Sequence, residues 1–195
     1  MKWIWISLLF LGSCTPIHGQ KVAYFQDTIW PVIAHQFTVS NGFGQDAFGD
    51  LTVAIGVEYS AQLSLGRQVY AGLRTGFQLP EPGAGYALIP VQLSAKWLPR
   101  PTQRHPWYGY GSGGYAFGWS LQADERVNQV QGGWGGEMGV GRLWKVGPSA
   151  WVSTSLGYLR QRNAVEYDQL WWWDAATITN TTTMNRLQWR FGLFF

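Results

Sequence analysis

The sequence predicts an all-β protein, specifically an eight-stranded antiparallel up-and-down transmembrane β-barrel, and three observations carry that expectation. Apolar residues recur at every second position through most of the chain, the intervening positions carry few charges, and the last strand keeps its pattern to the final residue. In an extended chain successive side chains point to opposite faces, so a period of two defines one greasy face and one polar face.

The ending NRLQWRFGLFF, residues 185–195, is the clearest case. Leu187, Trp189, Phe191, Leu193 and Phe195 form one set, whereas Arg186, Gln188, Arg190, Gly192 and Phe194 form the other. Termini of soluble domains ordinarily fray into water, where an apolar residue gains nothing.

Composition agrees. The 195 residues include 25 Gly and 13 Trp, with 16% aromatic and only 13% charged residues, against roughly 25% charged in an ordinary soluble domain. Lys2, the apolar run of residues 3–11 and the small residues that follow read as a secretory signal peptide, residues 1–19, ahead of one barrel domain, residues 20–195. A run of that length is too short for a membrane-spanning helix, which needs about 20 residues. A competing reading takes Leu11-Gly12-Ser13-Cys14 as a lipoprotein processing site with a lipid on Cys14, the only cysteine. With the signal removed there is no disulfide or thiol chemistry to expect. Loss of Lys2 lowers the formal charge from +3 to +2, and with no Lys/Arg run nucleic acid is not an expected partner. Asn180-Thr181-Thr182 is a formal glycosylation triplet of a kind common by chance.

The first strand, residues 32–43, has the weakest pattern. The second sets Leu51, Val53, Ile55, Val57, Tyr59, Ala61 and Leu63 against Thr52, Ala54, Gly56, Glu58, Ser60 and Gln62. In the third, Val69, Ala71, Leu73, Thr75, Phe77 and Leu79 oppose Tyr70, Gly72, Arg74, Gly76 and Gln78. The fourth sets Ala87, Ile89, Val91, Leu93, Ala95 and Trp97 against Leu88, Pro90, Gln92, Ser94 and Lys96, with Pro90 removing a ladder donor. A glycine-rich fifth strand spans residues 106–121. The sixth, 131–146, keeps Trp134, Met138, Val140 and Trp144 in phase; the seventh, 150–160, keeps Val152, Thr154, Leu156 and Tyr158; residues 185–195 form the eighth. Connections at 65–67, 99–105 and 146–149 fall at one end. Those at 44–50, 80–85 and 122–130, and a long loop at 161–184, fall at the other.

A soluble barrel would hide its greasy face and present charges to water. Here the second face is mostly Gly, Ser, Gln and Thr, which suits a crowded interior. Apolar-out, polar-in strands that cross hydrocarbon in about 9–11 residues define a transmembrane barrel, and lipid demands closure because an open edge strands backbone polar groups. Trp97, Trp107, Tyr108, Trp144, Trp151 and Phe195 are expected in an aromatic belt at the short-turn end. Phe77, Tyr86, Phe117, Trp119, Trp134 and Tyr158 are expected in another at the opposite end.

With signal peptide, eight strands and an alternating last strand ending in Phe195, the chain resembles the small outer-membrane β-barrels of Gram-negative bacteria, of the OmpA-transmembrane and OmpX type. The stretches VEYSAQLSLGRQVYAGLRTGF and ALIPVQLSAKWLPRP are similar to a broad group of such barrels that mostly lack assigned functions. The resemblance implies residence in the outer membrane, with the long loop extracellular and the short turns and C-terminus periplasmic. It also implies contact with outer-membrane lipid and lipopolysaccharide. Leu187, Trp189, Phe191, Leu193 and Phe195 are similar to the signal that these proteins offer to the barrel assembly machinery.

An eight-stranded lumen is narrow enough for side chains to fill, and charges inside it must be paired. The inward sets supply Glu58 and Glu137 as acids and Arg74, Lys96, Arg186 and Arg190 as bases. A three-residue turn at 65–67 pairs Ser64 with Gln68 and so sets Glu58 directly opposite Arg74. A Glu58–Arg74 ion pair is expected, with Glu137 reaching an arginine such as Arg190 across the lumen.

Barrels of this kind include lipid A deacylases and palmitoyl transferases, and acyl transfer needs a nucleophile, a His base and an orienting acid. Of three histidines, His18 leaves with the signal, His105 lies in a proline-rich turn, and His35 with Ser40 shows no deacylase spacing. No catalytic residue, metal or cofactor is expected. GYGSGGYAFG lacks the Lys-Ser/Thr ending of a phosphate loop and reads as strand glycines that make room inside the barrel. Trp171, Trp172 and Trp173, in the long loop, read as a contact site for an unidentified external ligand or as an interfacial cap. The expected role is non-enzymatic, structural or loop-mediated binding; a lipid-modifying enzyme or a narrow pore are the alternatives.

Overall fold

The computed structural model describes residues 33–45, 51–83, 85–101, 103, 105–121, 127–147, 149–171 and 174–195. The signal segment, Cys14 and His18 lie outside the described residues, as do Trp172 and Trp173. The elements are β1 (Ile33–Gln45), β2 (Leu51–Ser64), β3 (Val69–Leu79), β4 (Tyr86–Trp97), β5 (Trp107–Ser120), β6 (Val127–Gln131), β7 (Gly133–Lys145), β8 (Trp151–Trp171) and β9 (Asp174–Phe194). Every pairing is antiparallel; neighbours in sequence pair around the ring, except that β5 pairs with β7 and β6 with β8, until β9 meets β1. His35 and Phe195 close the seam by exchanging both backbone hydrogen bonds, at 2.8 and 2.9 Å.

β6 and β7 make one stave broken at Gly132, which leaves eight staves in a closed barrel. Gln131 pairs with Ala164 while Gly135 pairs with Gln161, so one strand carries an extra residue, the signature of a bulge. A Cβ at position 132 would lie 1.6 Å from the Ala116 carbonyl oxygen; only glycine allows the approach.

Of the expected loop at 161–184, residues 161–171 and 174–184 are instead strand. β8 and β9 stay paired from Trp151↔Phe194 to Trp171↔Asp174. The reason is chemical: this stretch is rich in Thr, a β-branched residue that favours extended backbone, but its polarity masks the apolar alternation that marks strands in lipid. β6 likewise occupies part of the expected 122–130 loop and pairs with the base of this ribbon. The strands expected at 150–160 and 185–195 are therefore only the lower halves of β8 and β9.

The turn after β2 also differs from expectation. Ser64 pairs with Tyr70, not Gln68, and Ser60 rather than Glu58 stands opposite Arg74. Leu65 N–H donates to the Val69 carbonyl at 2.8 Å, so the connection is wider than three residues. The offset is two positions, so the facing of every side chain is preserved.

On β2 and over residues 184–194 of β9 the exposed and buried positions alternate almost without exception. Leu73, Leu93, Val57 and Val140 are exposed, and a continuous apolar exterior of this extent has no place in water. Pro90 remains in β4, its side chain buried, and the β3–β4 ladder skips the positions around it.

Three aromatics assigned above to the outer belts point inward. Tyr108 and Trp151 join Ala34, Tyr70, Leu98, Leu143 and Phe194 in an apolar cluster inside the barrel, and Tyr86 is also buried. Parity explains this: Trp151 is in step with the inward Ser153 and Ser155, and a place near a strand end says nothing about facing. Ala87, outward by parity, is covered as well; it is a methyl group paired with Trp119.

Candidate functional site

Four strands deliver one charge each to a common point in the lumen: Glu58 from β2, Arg74 from β3, Glu137 from β7 and Arg190 from β9. All four are buried. Arg74 Nη2 donates to Glu58 Oε1 at 3.1 Å and to Glu137 Oε2 at 2.5 Å. Arg190 Nη1 donates to both Glu137 oxygens, at 3.1 and 3.3 Å, and its Nη2 donates to Glu58 Oε2. Each carboxylate thus bridges both guanidiniums, and the ring of ion pairs carries no net charge.

The register explains how they meet. Glu58 stands opposite Gly76, where a Cβ would lie 2.9 Å from the glutamate Cγ. That vacancy lets the carboxylate turn toward Arg74, its diagonal neighbour. Neutral groups then complete the shell, as buried charges require. Gln78 Nε2 donates to Glu58 at 2.9 Å, Tyr110 O–H donates to Glu137 at 2.6 Å, and Arg74 Nη1 donates to Ser112 at 3.0 Å. The Tyr110 ring also lies 5.1 Å from the Arg190 guanidinium.

Sequence reasoning missed Tyr110, Gln78 and Ser112. The last two needed only parity: Gln78 lies in the inward set of β3, and Ser112 is one of the few polar residues in β5. Tyr110 was obscured by the glycines around it.

Lys96 and Arg186 lie apart from the ring. Lys96 Nζ donates to Gln36 Oε1 at 2.7 Å and sits 4.5 Å from the Phe194 ring centroid and 5.1 Å from that of Tyr108. Arg186 donates to the Pro80 carbonyl and, at 3.1 Å, to Thr52. Among the described residues the lumen is closely packed around these groups. The cavity beside Lys96 measures about 20 Å³ and that beside Met184 about 10 Å³, each room for about one water.

His35 and Ser40 occupy opposite faces of β1. Ser40 is buried, whereas the His35 ring stacks between Tyr59 and Phe195, with Nδ1 2.6 Å from the Tyr59 hydroxyl. They form no dyad. Among the described residues no three His, Cys, Asp or Glu side chains cluster as metal ligands.

The glycines of β5 also need correction. Gly114 does make room inside, since a Cβ there would meet the Val91 carbonyl oxygen at 2.2 Å. Gly109, Gly111 and Gly113 are in step with the exposed Trp107 and Phe117 and so lie on the outer wall. Trp171 ends β8 at the ribbon tip, where it pairs with Asp174. The outward set of β9, Leu187, Trp189, Phe191, Leu193 and Phe195, is exposed throughout.

No family model matches the chain, and no curated protein matches it in sequence. Solved structures do match in fold. The outer membrane protein OprG from Pseudomonas aeruginosa aligns with a TM-score of 0.59 at 10% identity, over 87% of this chain and 99% of that one. The outer membrane protein AlkL, determined in DMPC bilayers, gives 0.58 at 11% identity over 93% and 94%. Neisserial surface protein A gives 0.57 at 11% identity over 84% and 96%. At such identities the likeness is one of fold: a small, closed, eight-stranded barrel.

Proposed function

We propose that this chain is an integral barrel of the bacterial outer membrane, with a structural or surface-binding role and no catalytic one. One observation carries the reading: the outer wall is an almost unbroken apolar surface around a lumen that holds the charges. Hydrocarbon solvates such a wall and water does not. The exposed rings of Trp97 and Trp107 at one end, and of Phe117, Trp119 and Trp134 at the other, suit two interfacial belts. The short turns and C-terminus then face the periplasm, and the β8–β9 ribbon projects outside the cell as the binding element. The alternating end of β9 serves the assembly machinery, and lipid and lipopolysaccharide surround the wall.

Two measurements test this. Protein extracted in mild detergent should migrate differently on gels before and after boiling, and its tryptophan emission should be quenched more by brominated lipid than by acrylamide. A freely soluble chain quenched only from the aqueous side would overturn the proposal.

A further inference from the structure

The outer wall is not uniformly studded. Where β7 and β8 run side by side, the outward position Gly136 carries no side chain, and a cleft of about 640 Å³ opens over the two strands. Ligand pockets span about 300–1,000 Å³. Trp134, Met138 and Tyr158 form apolar walls, with Trp134 and Met138 among the most exposed apolar residues of the protein. Arg160 and Arg162 stand at its polar end, next along β8 from the outward Tyr158.

Charge points to an occupant. Both arginines are exposed on the outer wall, and no ion pair joins either to a carboxylate among the described residues. Above a belt of apolar residues they lie where a lipid headgroup sits.

We infer that this cleft is a binding site for one phosphate-bearing lipid of the outer leaflet, of the lipid A class. An acyl chain lies over Gly136 between Trp134 and Met138, and a headgroup phosphate is held by Arg160 and Arg162. Arginine suits that task because its planar fork meets phosphate oxygens in pairs. The inference rests on the membrane reading above.

The experiment is native mass spectrometry of the barrel in tetraethylene glycol monooctyl ether micelles doped with lipid A or with neutral diacylglycerol. The wild type should retain lipid A in preference to diacylglycerol. R160Q/R162Q, altered only at exposed side chains, should retain about 25-fold less, since each basic residue near a membrane surface contributes about fivefold. Met138→Ala, which removes an apolar wall of the cleft but leaves the arginines, should also bind less. Equal retention of the two lipids, or of lipid A by wild type and both variants, overturns the site while a heat-modifiable barrel leaves the membrane reading standing. A chain that shows no heat-modifiable form in these micelles removes both.

Discussion

Glu137 shows what a buried charge demands of its neighbours. Its two oxygens accept from Arg74, Arg190 and Tyr110, and loss of the carboxylate would leave two guanidiniums in a dry lumen sharing Glu58 alone. Breaking a buried pair from one side typically costs about 3–5 kcal/mol, more than the pair is worth against an apolar replacement. Glu137→Gln should therefore lower barrel stability by about 3–5 kcal/mol in urea unfolding from lipid vesicles. A change below about 1 kcal/mol would mean that water reaches the ring and screens it, as at exposed pairs. The candidates for this ring were readable as inward polar positions, because facing is a local property of an extended chain. The expected pairs Glu58–Arg74 and Glu137–Arg190 both form; what was not readable is that each carboxylate bridges both guanidiniums, because Arg74 meets Glu137 and Arg190 meets Glu58 only when the barrel closes.

Along each strand the same alternation has an energetic counterpart outside. Leu93 on β4 pairs with Leu73 on β3, and both are exposed. If that surface lies near the bilayer midplane, Leu93→Arg should destabilise the barrel by about 2–4 kcal/mol in phospholipid vesicles. An unchanged midpoint would place the residue at a wet surface. β8 and β9 carry a complementary lesson. Their apolar alternation stops near Tyr158 and Leu187, yet pairing continues to Trp171 and Asp174, because hydrogen bonding between strands does not require lipid. Apolar periodicity reports where a strand is in hydrocarbon, and backbone propensity decides how far it runs beyond. The turn after β2 escaped prediction for a related reason: parity is blind to a shift of two residues.

Closure gives the protein its character. An eight-stranded ring leaves an interior that side chains fill, and here an apolar cluster at the short-turn end, the ring of ion pairs, and Leu88, Ala116 and Met184 further along occupy it in turn. In planar bilayers the barrel is expected to carry no sustained ionic current. Stable stepwise openings in purified protein would contradict a packed lumen and revive the pore alternative. From the order of residues alone, the strands of the barrel wall and the face that alternation gives each position could be read, because both follow from a period of two that every extended segment expresses by itself. The joining of the two ion pairs into one ring, the bulge at Gly132, the ribbon beyond the wall and the cleft below Arg160 depended on register and on which strands lie side by side. Those are properties of the closed sheet, set by hydrogen bonds between residues far apart in the chain, and no local pattern encodes them.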